Sequence, residues 1–150
     1  MPNTGALVGQ GMSGIVSGEH VTDEQVQRVQ ELFGAVGKTI ITDEQHLDAL
    51  TALSGSGPAY LFYIADAMIE AGVHQGLTRD EATTLTTQTI LGAAQLLEES
   101  GRTAVELREQ VTSPGGTTAA ALRVLDDRGV RAAMLEAVEA CAAKSAELAQ

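Results

Sequence analysis

Val111-Thr112-Ser113-Pro114-Gly115-Gly116-Thr117-Thr118 lies between two segments that both read as helices. Upstream, Thr103 and Glu106 spell the Ser/Thr-x-x-Glu capping box that opens a short amphipathic helix, and downstream residues 119–125 are apolar at helical spacing. The octapeptide therefore reads as a tight helix-to-helix loop within a mainly helical domain. Pro114 fixes φ and lacks an N–H, while Gly115 and Gly116 can take positive φ and leave the main chain bare. A bare loop feeding a helix N-terminus offers unpaired N–H donors and the positive end of the helix dipole, which suits a carboxylate or phosphate. Hydroxyls at Thr112, Ser113, Thr117 and Thr118 add donors and acceptors at the same spot. The same residues also read as a plain turn in which Thr117 caps the next helix.

Working outward, helical patterning holds from about residue 43 to the end. A first helix over 43–53 stops at Ser54-Gly55-Ser56-Gly57, and Pro58 suits the first turn of the next, over 59–73. That second helix is apolar on most sides (Leu61, Phe62, Ile64, Ala65, Met68, Ile69), which predicts burial. Thr78 and Glu81 form a capping box for a long helix ending near Ser100-Gly101, and helices over 117–127 and 130–149 follow the glycine loop. Apolar residues around so much of the girth of two helices predict self-association as the way to cover the surplus.

Before residue 43 the pattern changes. Residues 1–18 read as short extended pieces joined by turns, with 14–17 the best strand candidate. Thr22 and Gln25 form a capping box for a helix whose apolar face is Val26, Val29, Leu32, Phe33 and Val36, with Gly37 placed to end it, and residues 38–42 are β-prone. This strand-helix-strand run over about 13–42 looks like the last unit of an α/β sheet whose other strands the sequence does not supply. Gly9-Gln10-Gly11-Met12-Ser13-Gly14 spells G-x-G-x-x-G, but a dinucleotide fingerprint needs a strand before it, a helix opening inside it and an acid about 20 residues on. That context is missing, so the motif reads as a decoy.

Composition narrows the function classes. The net charge of −11, from 9 basic and 20 acidic residues, supplies no basic field, so neither nucleic acid nor an anionic membrane is an expected partner. The longest apolar run, around 60–69, is interrupted by Asp66 and too short to span a bilayer. A single cysteine, Cys141, excludes an intrachain disulfide and a cysteine metal cluster and points to a reducing cytoplasm. His20, His46 and His74 lack ligand spacing and read as surface or cap residues, so no metal site is expected. No paired carboxylates, Ser-His-Asp set or Cys-His set is readable, so any catalysis requires a cofactor for the hard step. Two glycine turns leading into helices, 54–58 and 112–118, could converge on one small anion, with Tyr60 as a wall, a hydroxyl or core filler.

Thr51-Ala52-Leu53-Ser54-Gly55-Ser56-Gly57-Pro58-Ala59-Tyr60 and Leu107-Arg108-Glu109-Gln110-Val111-Thr112-Ser113-Pro114-Gly115-Gly116-Thr117-Thr118 together resemble the pyrroline-5-carboxylate reductase family. Met1-Pro2-Asn3-Thr4, Leu32-Phe33 and Val36-Gly37-Lys38 extend the resemblance over essentially the whole chain. It implies hydride transfer from NADPH or NADH to the imine carbon of 1-pyrroline-5-carboxylate, giving L-proline in the last step of proline synthesis. It also implies a Rossmann domain followed by a helical domain that interlocks into homodimers, often assembled into decamers. Residues 1–42 would then be the closing piece of the dinucleotide-binding domain and 43–150 the helical dimerisation and substrate-binding domain. Carried onto matching positions, Ser113, Gly115, Gly116 and Thr117 would hold the substrate carboxylate, and the Thr118 hydroxyl would face the ring nitrogen as the catalytic group. Ser54, Gly57 and Pro58 would border the same pocket, and Met1, Pro2, Asn3 and Thr4 would lie beside the nicotinamide. Gly5 stands where the family usually has proline, which is expected to loosen that loop. The resemblance further implies a nucleotide domain of roughly a hundred residues ahead of Met1. The chain then reads as a C-terminal part that binds NADPH poorly and turns over little alone. The alternative reading is a stand-alone helical assembly or small-carboxylate-binding module without redox activity.

Overall fold

The computed structural model describes residues 1–149, which condense into two compact units: Met1–Leu61 with the chain from Met134 onward, and Phe62–Ala133. The change of sequence character near Thr42 falls inside the first unit.

In that unit a 3-10 helix, Thr4–Val8, precedes strand β1 (Gly11–Ile15), helix α1 (Asp23–Gly34) and strand β2 (Gly37–Ile41). The strands pair in parallel, Gly11 opposite Gly37 and Ile15 opposite Ile41, and α1 packs on them. This is the expected strand-helix-strand, with corrections of detail. The first strand starts at Gly11 and ends at Ile15, against the predicted 14–17, because its parallel ladder with β2 runs from the Gly11–Gly37 pair to the Ile15–Ile41 pair. Residues 4–8 coil where extended pieces were expected, since the Asn3 side chain caps them. Gly37 does not end the helix; it opens β2 with φ 152°, where a Cβ would strike the Gly11 backbone. The Thr22–Gln25 capping box forms as read. Gly9 to Gly14 runs from a 3-10 helix cap into β1, so no helix N-terminus forms within the G-x-G-x-x-G sequence.

The helix predicted over 43–53 is composite. A 3-10 turn (Glu44–His46) passes into a single α-turn, α2 (Leu47–Leu50), and then a π turn (Thr51–Gly55). The helical run ends at Gly55 with Ser56 as its C-cap, so the stop falls within Ser54-Gly55-Ser56-Gly57 as expected, while its last turn is a π turn. The Ser56 N–H reaches back to Thr51 O at 2.9 Å and α3 (Gly57–His74) follows directly.

The second unit holds most of α3, then α4 (Arg79–Glu99), α5 (Ala104–Gln110) and α6 (Thr117–Asp127), with α7 (Val130–Leu148) leading back to the first. The capping boxes at Thr78/Glu81 and Thr103/Glu106 are both made. At Gly72 a Cβ would lie 3.0 Å from Ala82 Cβ, so small residues bring α3 and α4 close together. The predicted burial of α3 does not occur within the chain. No residue of α3 is buried, and Phe62 and Tyr63 are 69% and 80% exposed. Among the described residues the buried apolar set is Ile15, Ala52 and Ala82. The apolar patterning is thus largely unmatched by partners within one copy. No helix among the described residues is long and apolar enough to cross a membrane.

Candidate functional site

The octapeptide loop lies in the second unit. After α5 the Thr112 N–H bonds Glu109 O at 3.0 Å and its hydroxyl bonds Arg108 O at 2.5 Å, so Thr112 closes the preceding helix rather than facing the loop. The Gly116 N–H donates to Ser113 O at 3.0 Å, which tightens the turn around Pro114 and Gly115. Gly115 sits at φ 70°, is exposed, and has nothing within 4 Å of an added Cβ. At Gly116 a Cβ would strike Ser113 Oγ, so the missing side chain there gives the serine hydroxyl its place.

Gly116, not Thr117, is the N-cap of α6, and no side chain caps it. Hydrogen bonding of the helix starts at Ala120, whose N–H reaches Gly116 O at 3.1 Å. The N–H groups of Gly115, Thr117 and Thr118 have no acceptor among the described residues, nor do the Ser113, Thr117 and Thr118 hydroxyls have a partner. Free amides at the positive end of an eleven-residue helix, with hydroxyls beside them, are suited to a carboxylate. Gly116 is a correction to the predicted donor set: its amide is already used, and its contribution is space. A cavity of about 300 Å³ in the same unit is lined by Arg108, Glu109, Thr112, Leu122 and Asp126.

The second glycine turn lies in the first unit, so the two turns are held by separate bodies of structure. Its geometry is the opposite of the loop's. The Tyr60 hydroxyl donates to Ala52 O at 3.1 Å, Asn3 Nδ2 donates to Ser54 O at 3.1 Å, and the Cys141 thiol lies 3.3 Å from Ser56 Oγ. Tyr60, read as a pocket wall, a hydroxyl or core filler, uses its hydroxyl to brace the turn. Ser54 Oγ is buried and unpartnered among the described residues, a polar atom suited to a group brought from outside the chain. Gly57 begins α3 and Pro58 follows it, both half-buried.

Cys141 had no signal in sequence, since only folding brings it to Ser56, 85 residues away. The Ser56 hydroxyl and then the Tyr60 hydroxyl hold its thiol below the ordinary value, while the neighbouring Cys141 raises Tyr60. His46, expected as a surface or cap residue, is exposed in the turn that Asp43 caps, with its Nδ1 2.5 Å from Asp43 Oδ1. The i, i+3 spacing within a short turn was the available signal. The Gln45 side chain first, and His46 next, hold the exposed Asp43 carboxyl below its usual range. No group of three or more potential metal ligands occurs among the described residues.

Met1, Pro2, Asn3 and Thr4 run beside β1. Met1 O accepts from Gly14 N at 2.9 Å and Asn3 N donates to Met12 O at 3.1 Å. Pro2 and Thr4 are exposed, whereas the Asn3 side chain is turned into the fold. This stretch can present a face to a nicotinamide, while the Gly9 to Gly14 sequence, being strand, does not fit a pyrophosphate cradle. Gly5 does not loosen the loop as expected: its N–H is held by Asn3 Oδ1 at 3.1 Å, a bond that proline could not make.

A family model described as pyrroline-5-carboxylate reductase dimerisation matches residues 44–148. A pyrroline-5-carboxylate reductase from Corynebacterium melassecola is 47% identical over 148 residues, covering 99% of this chain and 55% of the relative, and one from Arabidopsis thaliana is 46% identical over 150 residues, covering 100% and 54%. The Coxiella burnetii pyrroline-5-carboxylate reductase structure superposes with TM-score 0.94 at 41% identity, covering 99% of this chain and 55% of that one. A Plasmodium falciparum pyrroline carboxylate reductase structure with NADP bound gives 0.89 at 35% identity, covering 97% and 59%. The chain spans about half the length of the curated relatives it matches. The chain belongs to the pyrroline-5-carboxylate reductase family.

Proposed function

We propose that these residues form the dimerisation and substrate-binding part of a pyrroline-5-carboxylate reductase, the enzyme of the last step of proline synthesis. The observation that carries the reading is the set of unengaged amides at Gly115, Thr117 and Thr118 in a chain of this family. Those amides and the Ser113 hydroxyl hold the substrate carboxylate, and Gly116 keeps the serine in place. The Thr118 hydroxyl faces the ring nitrogen and orients the C=N bond. When bound, NADPH or NADH supplies the hydride that adds to the imine carbon; the C=N π pair moves onto nitrogen, which takes up a proton to give L-proline. The imine is already electrophilic, so the protein's share is orientation more than acid–base chemistry. Met1, Pro2, Asn3 and Thr4 form the nicotinamide side, with Pro2 and Thr4 making the exposed contacts. In the first unit, Ser54, Gly57 and Pro58 are the residues suited to a small-molecule group from outside the chain, with the unpartnered Ser54 hydroxyl as the polar contact.

The exposed apolar faces of α3 and α7, Phe62 and Leu135 among them, support a homodimer that buries them, and dimers assemble further into decamers. The lone cysteine supports a cytoplasmic setting. The 150 residues alone turn over little, because no described element forms a dinucleotide cradle. The alternative, a carboxylate-binding helical module without redox activity, is separated by one assay. The full-length reductase carrying this chain should oxidise NADPH on addition of pyrroline-5-carboxylate, and the 150 residues should not. Turnover by the 150 residues alone would overturn the division of labour, and none from the full-length protein would favour the binding module.

A further inference from the structure

Asn3 belongs to the stretch proposed for the nicotinamide side, but its carboxamide is committed within the fold. Oδ1 accepts from the N–H groups of Gly5 and Met12, both at 3.1 Å, and Nδ2 donates to Ser54 O at 3.1 Å, across 51 residues of sequence. Backbone N–H groups can only donate and a carbonyl can only accept, so these partners fix which way the amide faces. The Ser54 carbonyl has a specific need for this donor. In a continuous helix it would pair with the N–H of residue 58, which is proline and has none. The neighbouring Ala52 carbonyl is met by Tyr60, and the Ser56 N–H skips back to Thr51 O, so the Ser56 amide is not available to Ser54 O.

We propose that the Asn3 carboxamide is a positioning residue, which locks the stretch Met1 to Thr4 to the π turn Thr51–Gly55 so that the nicotinamide side and the turn bearing Ser54 keep one fixed geometry. This rests on the reductase reading above. Only a carboxamide of this length does the work, since both edges are needed at once: aspartate keeps the acceptor and loses the donor, and serine falls short.

The test is Asn3→Asp in the complete reductase with its cofactor. It retains both contacts to Gly5 and Met12 and sets a carboxylate against Ser54 O. The expected result is a fall in kcat of about tenfold or more, with the KM for the dinucleotide within about twofold of the parent. A folded variant with unchanged kcat overturns the proposal, as does one whose main defect is a raised dinucleotide KM, which would mark direct contact with the cofactor. A parent enzyme without pyrroline-dependent NADPH oxidation overturns the underlying reading and the proposal with it, so the two failures are distinguishable. Should the variant not fold, the unaltered 150-residue chain still decides. Asn3 is its single asparagine, so selective ¹⁵N-asparagine labelling gives one side-chain amide signal pair. One proton of that pair should exchange about tenfold more slowly than the other, and equal rates overturn the proposal.

Discussion

The turn at 51–58 and the loop at 111–118 share glycine, serine, threonine and proline and both lead into helices, yet their polar groups are used in opposite ways. In the first, carbonyls at Ala52 and Ser54 are met by side chains from Tyr60 and Asn3, and Ala52 is 0% exposed. In the second, the amides of Gly115, Thr117 and Thr118 and three hydroxyls have no partner among the described residues. A turn whose backbone carbonyls are met by side chains from elsewhere in the chain is braced scaffold, even with the Ser54 hydroxyl left over; one whose amide donors stay open at a helix N-terminus is a receptor. Similar composition thus conceals different roles, and the difference lies in contacts made far along the chain.

Substitutions should separate the two roles. Ala52→Leu forces a larger side chain into a fully buried place in the scaffold turn and should cost about 3 kcal/mol of stability by denaturant unfolding. A loss well below that would show the turn to be yielding. In the loop, Ser113→Ala or Thr118→Ala should leave unfolding nearly unchanged and weaken L-proline binding to the full-length enzyme by about 1–3 kcal/mol in calorimetry. Unchanged affinity would remove those residues from the site. Gly115→Ala adds a Cβ in open space at positive φ and should cost about 1 kcal/mol from backbone strain alone.

The smallest effect concerns the capping boxes, which lie outside both turns. Hydrogen bonds from Thr78 hold Glu81, and those from Thr103 hold Glu106, below their ordinary value of 4.5. A depressed folded value means that this stability is present above pH 4.5 and is lost as pH falls through the lowered value. Helicity by circular dichroism should therefore decline slightly on acidification below about 4.5, and less so in Thr78→Ala. An equal decline in that variant would assign the change to other carboxylates.

Local signals were the legible part of this fold. The boxes at Thr22, Thr78 and Thr103 formed as read, because a cap is decided within four residues. The strand-helix-strand is legible from the local pattern of each element, but its first strand begins early because Gly11 pairs with Gly37, a long-range contact that composition does not announce. The stop at Ser54-Gly55-Ser56-Gly57 is legible, since the run ends at Gly55, but the π turn before it is not, because its carbonyls are met by donors from Asn3 and Tyr60. In the loop, the free amides follow from its glycines and position, whereas the internal use of the Gly116 amide depends on how tightly the chain turns at Pro114 and Gly115. The burial of α3 was misjudged because patterning reports that an apolar face needs a partner without reporting which chain supplies it.

Titration of the ¹⁵N-labelled chain with L-proline, followed by amide chemical shifts, tests the receptor role most directly. Saturable shifts led by the N–H groups of Gly115, Thr117 and Thr118 are expected, with Gly116 moving less because its proton stays on Ser113 O. Shifts that leave those three amides still while other residues respond would contradict it.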